Sequence, residues 1–477
     1  MDRQEAERIY EAGKEAVIEQ LLSFVAHIRK LEQSVARLSR NSSNSSRPPS
    51  SDPPGMKKAK NNTKSIRKQG GQPGHKGKNR KLLSSEEMDK IHEIYPERCQ
   101  YCQSPFSETL INPFAKPVRH QVFDLPMFVP FKEEYRCHSL RCQCGHSTAA
   151  SLPEHVAQSN FGPRTHAAIA YLASVHRITR RGIAEIMQSL FGITISTGAV
   201  CNAAERVSTA CLPVVGAIKR YVASALTLNI DETGWKYQGK SRFLWAFVAP
   251  GAVLFQVSPS RGAKVLREVL GDSFAGVITS DDHSAYASYH KNGRRQLCWA
   301  HIIRKLKALE EDRSSPHAYS FARNMRSEIQ AVFSLWHAFL ASGESSSRAQ
   351  LVLDTLPMRE RMHDFCVIFR YSPDPRVQTR TRRLLDNWQH LFTFLEHDGV
   401  QPTNNSAERA IRPAVQWRKI CFGSQSQIGE HFTGRLLTVV RTCHLNRINA
   451  FDFLTRLVNT SFSAKQHLPR LPLSLPF

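Results

Sequence analysis

The chain has 477 residues, too many for one ordinary core, so roughly two to four domains are expected. Its 41% hydrophobic content suits a soluble globular protein, and no apolar run reaches the roughly eighteen residues that a membrane-spanning helix requires. A formal net charge of +24 says little about fold, but it selects polyanions such as DNA or RNA as partners, because neutralised phosphates release counterions.

The start, Met1-Asp2-Arg3-Gln4-Glu5, lacks the basic and apolar regions of an export signal, so a cytoplasmic, nucleoid-associated location is expected. Eleven cysteines in such a chain argue against a disulfide scaffold. Residues 1–40 read as helix. Val17, Leu21, Phe24, Ile28, Leu31, Val35 and Leu38 recur in steps of four and three, an a/d seam suited to a short coiled coil and a homo-oligomer. A single amphipathic helix packed on its own chain fits the same pattern.

Residues 41–90 read as a basic linker. Its Ser/Asn/Pro start cannot bury a core, and from Asn41 to Lys81 eleven Lys/Arg face one acid, Asp52. Lys57, Lys58 and Lys76 are its candidate phosphate contacts; a solvated tether is the other reading. Residues 91–155 hold Cys99-x-x-Cys102 and Cys142-x-Cys144. Two thiolate pairs on separate turns can close a tetrahedral Zn²⁺ site. The second spacing is tighter than a standard knuckle, and Cys137, His138 or His146 can replace one ligand.

Residues 156–222 are expected to be helical. Thr179-Arg180-Arg181-Gly182 opens one helix and Ser196-Thr197-Gly198 another, with Phe191-Gly192-Ile193 between them. This pattern fits a DNA-reading helix-turn-helix and equally a plain helical hairpin. Strand texture begins at Ala225. Leu226–Ile230 ends at Asp231; Phe243–Ala249 and Val253–Val257 follow; a helix spans Gly262–Leu270; and Gly276–Ser280 ends at Asp281. That order predicts an α/β core whose first part covers residues 223–300. A helical stretch over 301–400 separates it from a last part at 401–460, and 461–477 reads as a tail.

Asp231 and Asp281 each follow a strand, where open α/β sheets collect ligands. Two close carboxylates need a cation, and Mg²⁺ (or Mn²⁺) held by carboxylates and substrate phosphates is the natural one. Spacing alone does not single out a third acid. Cys298 and His301 lie one helical turn apart and can bind metal, orient a ligand or pack a helix start. Trp235 is read as core, with base stacking as the alternative.

Asp231-Glu232-Thr233-Gly234-Trp235, Ser280-Asp281 with Tyr286, Cys298-Trp299-Ala300-His301, and Asn404-Asn405-Ser406-Ala407-Glu408-Arg409-Ala410-Ile411-Arg412-Pro413 resemble the transposases of insertion-sequence 66 elements. The resemblance extends upstream through the paired cysteines, the Gly70-Gly71-Gln72-Pro73-Gly74-His75 segment and the heptad helix, in the family's order. It implies an RNase H-like catalytic domain of the retroviral-integrase type with a helical insertion. It also implies a DDE triad of Asp231, Asp281 and Glu408 on divalent metal. The implied reaction is hydrolysis at element ends, then attack of a 3′-hydroxyl on target DNA. Arg409, Arg412, Arg418 and Lys419, just after Glu408, are candidate DNA contacts or a solvated basic face. Double-stranded DNA, as element ends and target, is the implied partner, with small accessory proteins of the element beside it. The family often has Gly where Asp282 stands, which leaves Asp282 as an alternative ligand to Asp281. An inactive DNA-binding relative, or an RNA-acting nuclease of the same fold, are the competing functions.

Overall fold

The computed structural model describes residues 3–38, 81–106, 116–157, 159–290, 293–312, 314–343, 347–462, 469 and 471. Most of the basic linker, with Lys57, Lys58, Lys76 and the Gly70–His75 segment, lies outside the described residues. The chain divides into two compact units, Lys57–Pro130 and the combination of Met1–Met56 with Phe131–Phe477. In the smaller unit Cys99 N–H donates to Ser104 O at 2.9 Å and Gln103 N–H to Cys99 O at 2.9 Å, closing a tight turn around Cys99 and Cys102.

The larger unit opens with α1 (Arg3–Glu11) and α2 (Lys14–Leu38), separated at Gly13, whose φ of +98° breaks the helix. Leu21, Ile28, Leu31, Val35 and Leu38 on α2 are all exposed. A two-stranded hairpin, β1 (Ser139–Arg141) and β2 (Ser147–Ala149), carries Cys142 and Cys144 in its turn. Cys142 N–H donates to His146 O there, and Gly145 supplies the left-handed φ of +89° that the turn needs.

After α3 (Glu154–Ala157), four helices follow: α4 (Pro163–Ser174), α5 (Arg180–Phe191), α6 (Thr197–Ala210) and α7 (Leu212–Ala223). Thr179 Oγ1 and Ser196 Oγ accept from Gly182 N and Ala199 N, capping the exposed amides that open α5 and α6. Gly192 at +63° ends α5. Next come β3 (Thr227–Tyr237), β4 (Lys240–Ala249), β5 (Ala252–Ser258), α8 (Ala263–Leu270), β6 (Val277–Ser280), α9 (Ser284–Tyr289) and β7 (Arg295–Leu297). They form one mixed five-stranded sheet in the order β5-β4-β3-β6-β7. The first three strands are antiparallel, and β3, β6 and β7 run parallel. This mixed α/β layout is consistent with the RNase H-like domain that the motifs imply.

Five helices then intervene: α10 (Trp299–Glu311), α11 (Pro316–Ser342), α12 (Arg348–Phe369), α13 (Pro375–Asp386) and α14 (Thr393–Glu396). They bury a core of their own, around Trp299, Phe321, Met325, Trp336, Met362 and Phe394. The chain returns to the sheet through α15 (Asn405–Cys421), α16 (Gln427–Leu445) and α17 (Ala450–Phe462), whose apolar faces join the core of the sheet and of α4–α7. α16 covers the edge strand. Thr442 Oγ1 and Thr438 Oγ1 accept from the outward amides of Val253 and Phe255 at 3.1 and 2.9 Å, so the edge has no open ladder there.

The end of α15 is tied to the far end of β3. Ser424 N–H donates to Lys236 O at 2.8 Å, Gln238 N–H donates to Ser424 O at 2.9 Å, and Trp235 Nε1 donates to Ser424 Oγ at 3.1 Å. Gly423 makes the approach possible. Its φ is +112°, and a Cβ there would lie 2.3 Å from Lys236 O. Gly423→Ala therefore combines a disfavoured backbone with a backbone clash and is expected to cost about 2 kcal/mol or more of stability. Chemical denaturation checks this; an unchanged midpoint would mean that this junction does not hold α15 to the sheet.

Candidate active site

Strand pairing places the two aspartates. Leu228 pairs with Ile278 and Asn229 with Thr279 in the parallel β3–β6 ladder. Two residues further on in both strands stand Asp231 and Asp281, so the carboxylates leave the sheet at one level, beyond the end of β6. Burial pushes the Asp231 carboxyl well above the usual range, and the charges of Glu232, Asp281 and Glu408 push it the same way. Burial and Glu232 likewise raise Asp281. Asp231 Oδ1 accepts from the Glu232 amide and Asp281 Oδ1 from the His283 amide. These bonds favour ionisation, yet they are outweighed.

Asp281 rather than Asp282 shares this cluster. Asp282 Oδ2 accepts instead from Arg383 of α13 at 3.1 Å. Glu232, one residue after Asp231, was not singled out by its spacing. Its side chain is 2% exposed, receives Arg261 Nε at 2.8 Å and is bonded by the Tyr286 hydroxyl. The arginine and the phenol hold this carboxylate in place next to the two aspartates.

Asn404 places Glu408 where its charge is felt by Asp231, although the three acids do not all lie within 4.8 Å of one another. Asn404 is 1% exposed and is the residue before α15. Its Nδ2 donates to Ile230 O at 2.7 Å, its Oδ1 accepts from Asn229 Nδ2 at 3.1 Å, and its N–H donates to Cys298 Sγ at 3.1 Å. Trp299 N–H adds a bond to Pro402 O at 3.0 Å. The start of α15 is thus clamped to β3 on one side and to the start of α10 on the other. Glu408 N–H donates to Asn404 O, so the glutamate sits one turn above the clamp. Arg304 of α10 donates to Glu408 Oε1 at 3.1 Å, and His301 Nε2 lies 3.9 Å from the same oxygen. Neither Asn404 nor Arg304 carries a periodicity or spacing signal; only the Asn404-to-Arg409 motif pointed to the region.

The basic residues divide. Arg409 and Arg412 are exposed on α15. Arg418 is occupied: its guanidinium bonds Thr233 Oγ1 and Gly234 O, tying α15 to β3. Lys419 is exposed in the last turn. Three cations that sequence reading passed over, Lys305, Arg380 and Arg383, line a small cleft with Asp282, Cys298 and His301. Burial and the repulsion of Arg380 and Arg383 lower the Lys305 amine, and burial and Arg383 lower Arg380. Trp235 is 2% exposed and belongs to the core.

The cysteines of the two turns pair locally. Hydrogen bonds from Ser104, then Cys99, draw the Cys102 thiol down to about 7. Bonds from Cys144 lower Cys142. A thiol that ionises readily is the form a metal takes.

The family model described as Transposase IS66 family matches residues 158–431, more than half of the chain. A second, described as Family of unknown function (DUF6444), matches residues 3–81. Two relatives from Sinorhizobium fredii bear the descriptions Uncharacterized protein y4hP and Uncharacterized protein y4qI. The first is 23% identical over 67% of this chain and 62% of its own length. The second is 26% identical over 45% of this chain and 42% of its own length. The chain thus spans less than two thirds of either relative.

The electrostatics of Asp231 carry a prediction. A carboxyl raised above its ordinary value of 3.8 favours the fold below that value and loses its contribution as pH climbs through the raised one. Asp231→Asn, neutral at every pH, is therefore expected to be more stable than the wild type without metal, by a margin that grows as pH rises towards neutrality. Mg²⁺ should raise the melting temperature of the wild type and not of the variant. Thermal melts across pH, with and without Mg²⁺, check both; a pH-independent difference and equal Mg²⁺ responses would refute the cluster as a cation site.

Proposed function

This chain belongs to the IS66 family of transposases, and from that premise we propose a DDE enzyme that cuts DNA at element ends and joins them to target DNA. The observation that carries the reading is electrostatic. Asp231, midway along β3, feels the charges of Asp281, just beyond β6, and of Glu408, both distant from it in sequence. Buried like charges of this kind call for a divalent cation. The oxygen-only donor set fits Mg²⁺ or Mn²⁺, with Asp231, Asp281 and Glu408 as the holding residues. Bound there, such ions activate an attacking oxygen and neutralise a leaving one in phosphoryl transfer.

The chain's own residues do the rest. Glu232, fixed by Arg261 and Tyr286, adds its charge to the repulsion on Asp231 and Asp281. Arg304 holds Glu408 and offsets its charge. Lys305, Arg380 and Arg383 repel one another in a cleft that borders Asp282, so an anion there is favourable; we assign them to backbone phosphates near the scissile bond, with Arg409 and Arg412 flanking. Lys57, Lys58 and Lys76 are assigned to phosphates too, while Arg418 is better read as a fold contact. In this reading the fold is RNase H-like, interrupted by α10–α14, and α5–α6 form the helical DNA-reading region.

Two accessory proposals accompany it. The exposed seam of α2 pairs with a second copy as a coiled coil. Cys99 with Cys102, and Cys142 with Cys144, supply thiolates for structural Zn²⁺.

Purified protein with element-end DNA and Mg²⁺ or Mn²⁺ tests the main reading. Cleavage and strand transfer are expected, lost by at least about a hundredfold in Asp231→Asn, Asp281→Asn and Glu408→Gln with DNA binding retained. Binding without cleavage in the wild type would favour a DNA-holding relative; turnover of RNA without end preference would favour an RNA nuclease. Mass and metal analysis of the same sample check the accessory proposals, which a monomer or a zinc-free protein would overturn.

A further inference from the structure

We propose that Cys298, His301 and Glu408 form a second metal site, selective for a thiophilic transition ion such as Zn²⁺, whose occupancy withdraws Glu408 from the nuclease centre. One ligand atom from each of the three lies within 4.8 Å of the others, the one such trio among the described residues. Cys298 stands immediately before α10 and His301 in its first turn, so the helix sets both on one side; Glu408 comes from the first turn of α15. The Asn404 clamp holds the two helix starts together.

The chemistry of the donors separates this site from the carboxylate cluster. Sulfur, imidazole nitrogen and one carboxylate oxygen suit Zn²⁺ or Co²⁺, with a fourth position open, whereas Mg²⁺ takes oxygen. Bond lengths of about 2.3 Å to sulfur and about 2.0 Å to nitrogen and oxygen place tetrahedral ligands roughly 3.3–3.6 Å apart. The observed spacing needs a contraction of about an ångström, which side-chain rotation supplies.

The protein also presents the groups in usable form. His301 turns its Nε2 to 3.9 Å from Glu408 Oε1. Its Nδ1 is buried with no hydrogen-bond partner among the described residues. Burial raises the Cys298 thiol, and the Asn404 amide, which Cys298 Sγ accepts, offsets part of that cost. Binding releases one proton, from the Cys298 thiol to solvent, and leaves Arg304 bonded to Glu408 as an outer partner. No oxidation state changes.

The site itself stands apart from the nuclease reading; the inhibitory consequence rests on it. The test adds Co²⁺ to the full chain as isolated and records the visible bands and the thiolate-to-cobalt charge-transfer band. The wild type is expected to gain one thiolate–cobalt chromophore per chain that Cys298→Ser and His301→Ala lack. Cys201→Ser, a change at an exposed cysteine elsewhere, should keep it. Cobalt taken up at the other cysteines appears in every variant and cancels. His301→Ala guards against a Cys298→Ser protein that misfolds. In parallel, Zn²⁺ at micromolar level is expected to reduce Mg²⁺-supported cleavage at least tenfold in the wild type, and His301→Ala should shift the inhibiting concentration upward at least tenfold. Identical cobalt spectra in the wild type and both variants would overturn the site. The chromophore in a protein that never cleaves DNA would leave the site standing and overturn the nuclease reading alone. The chromophore with cleavage indifferent to Zn²⁺ would overturn the inhibitory role.

Discussion

Repulsion among buried carboxylates is the constraint around which this molecule is built. Asp231 carries the cost of burial and the charges of Glu232, Asp281 and Glu408 together. A fold does not gain stability from such a cluster; it tolerates one where a ligand of opposite charge offsets it. The surroundings are arranged to tolerate it. Arg261 and Tyr286 take up Glu232, Arg304 takes up Glu408, and Arg383 takes up Asp282. Asp231 and Asp281 keep only backbone amide donors among these bonds, and they are the two that leave the sheet side by side.

The geometry depends on joining distant segments. The five helices between β7 and α15 have a core of their own, yet Glu408 must still arrive at the strand ends. Asn404 solves this with one side chain and one amide, bonding β3 and the Cys298 thiol at once. Further along, Ser424 and Gly423 fix the other end of α15 to β3. The helix bearing Glu408 is thus held at both ends, and α10 of the intervening helices takes part in the hold through Arg304 and Trp299.

Much of this was readable in the sequence, for physical reasons. Short β-branched and aromatic runs before Asp231 and Asp281 mark strands, because period and turn chemistry are local properties; β6 stops before Asp281 as expected, but β3 runs on through Asp231 to Tyr237, held by its pairing with β4. The family motifs pointed to Glu408, and no local signal could, since it stands 127 positions after Asp281 across helix-rich chain. What stayed hidden was long-range pairing. Arg418 looks like any basic helical residue until its bonds to Thr233 and Gly234 are seen. Arg380 and Lys305 look like a solvated face until they share a cleft. Asn404 looks like a helix cap, and its bonds to a strand 174 residues away have no signature in the sequence.

The central claim is that Asp231, Asp281 and Glu408 jointly grip divalent ions. Anomalous diffraction from Mn²⁺-soaked crystals of the full chain with element-end DNA tests it most directly. Manganese held by Asp231 and Asp281, with Glu408 released from Arg304 to join them, is the expected result. Manganese bound elsewhere, with Glu408 still paired to Arg304, would contradict it.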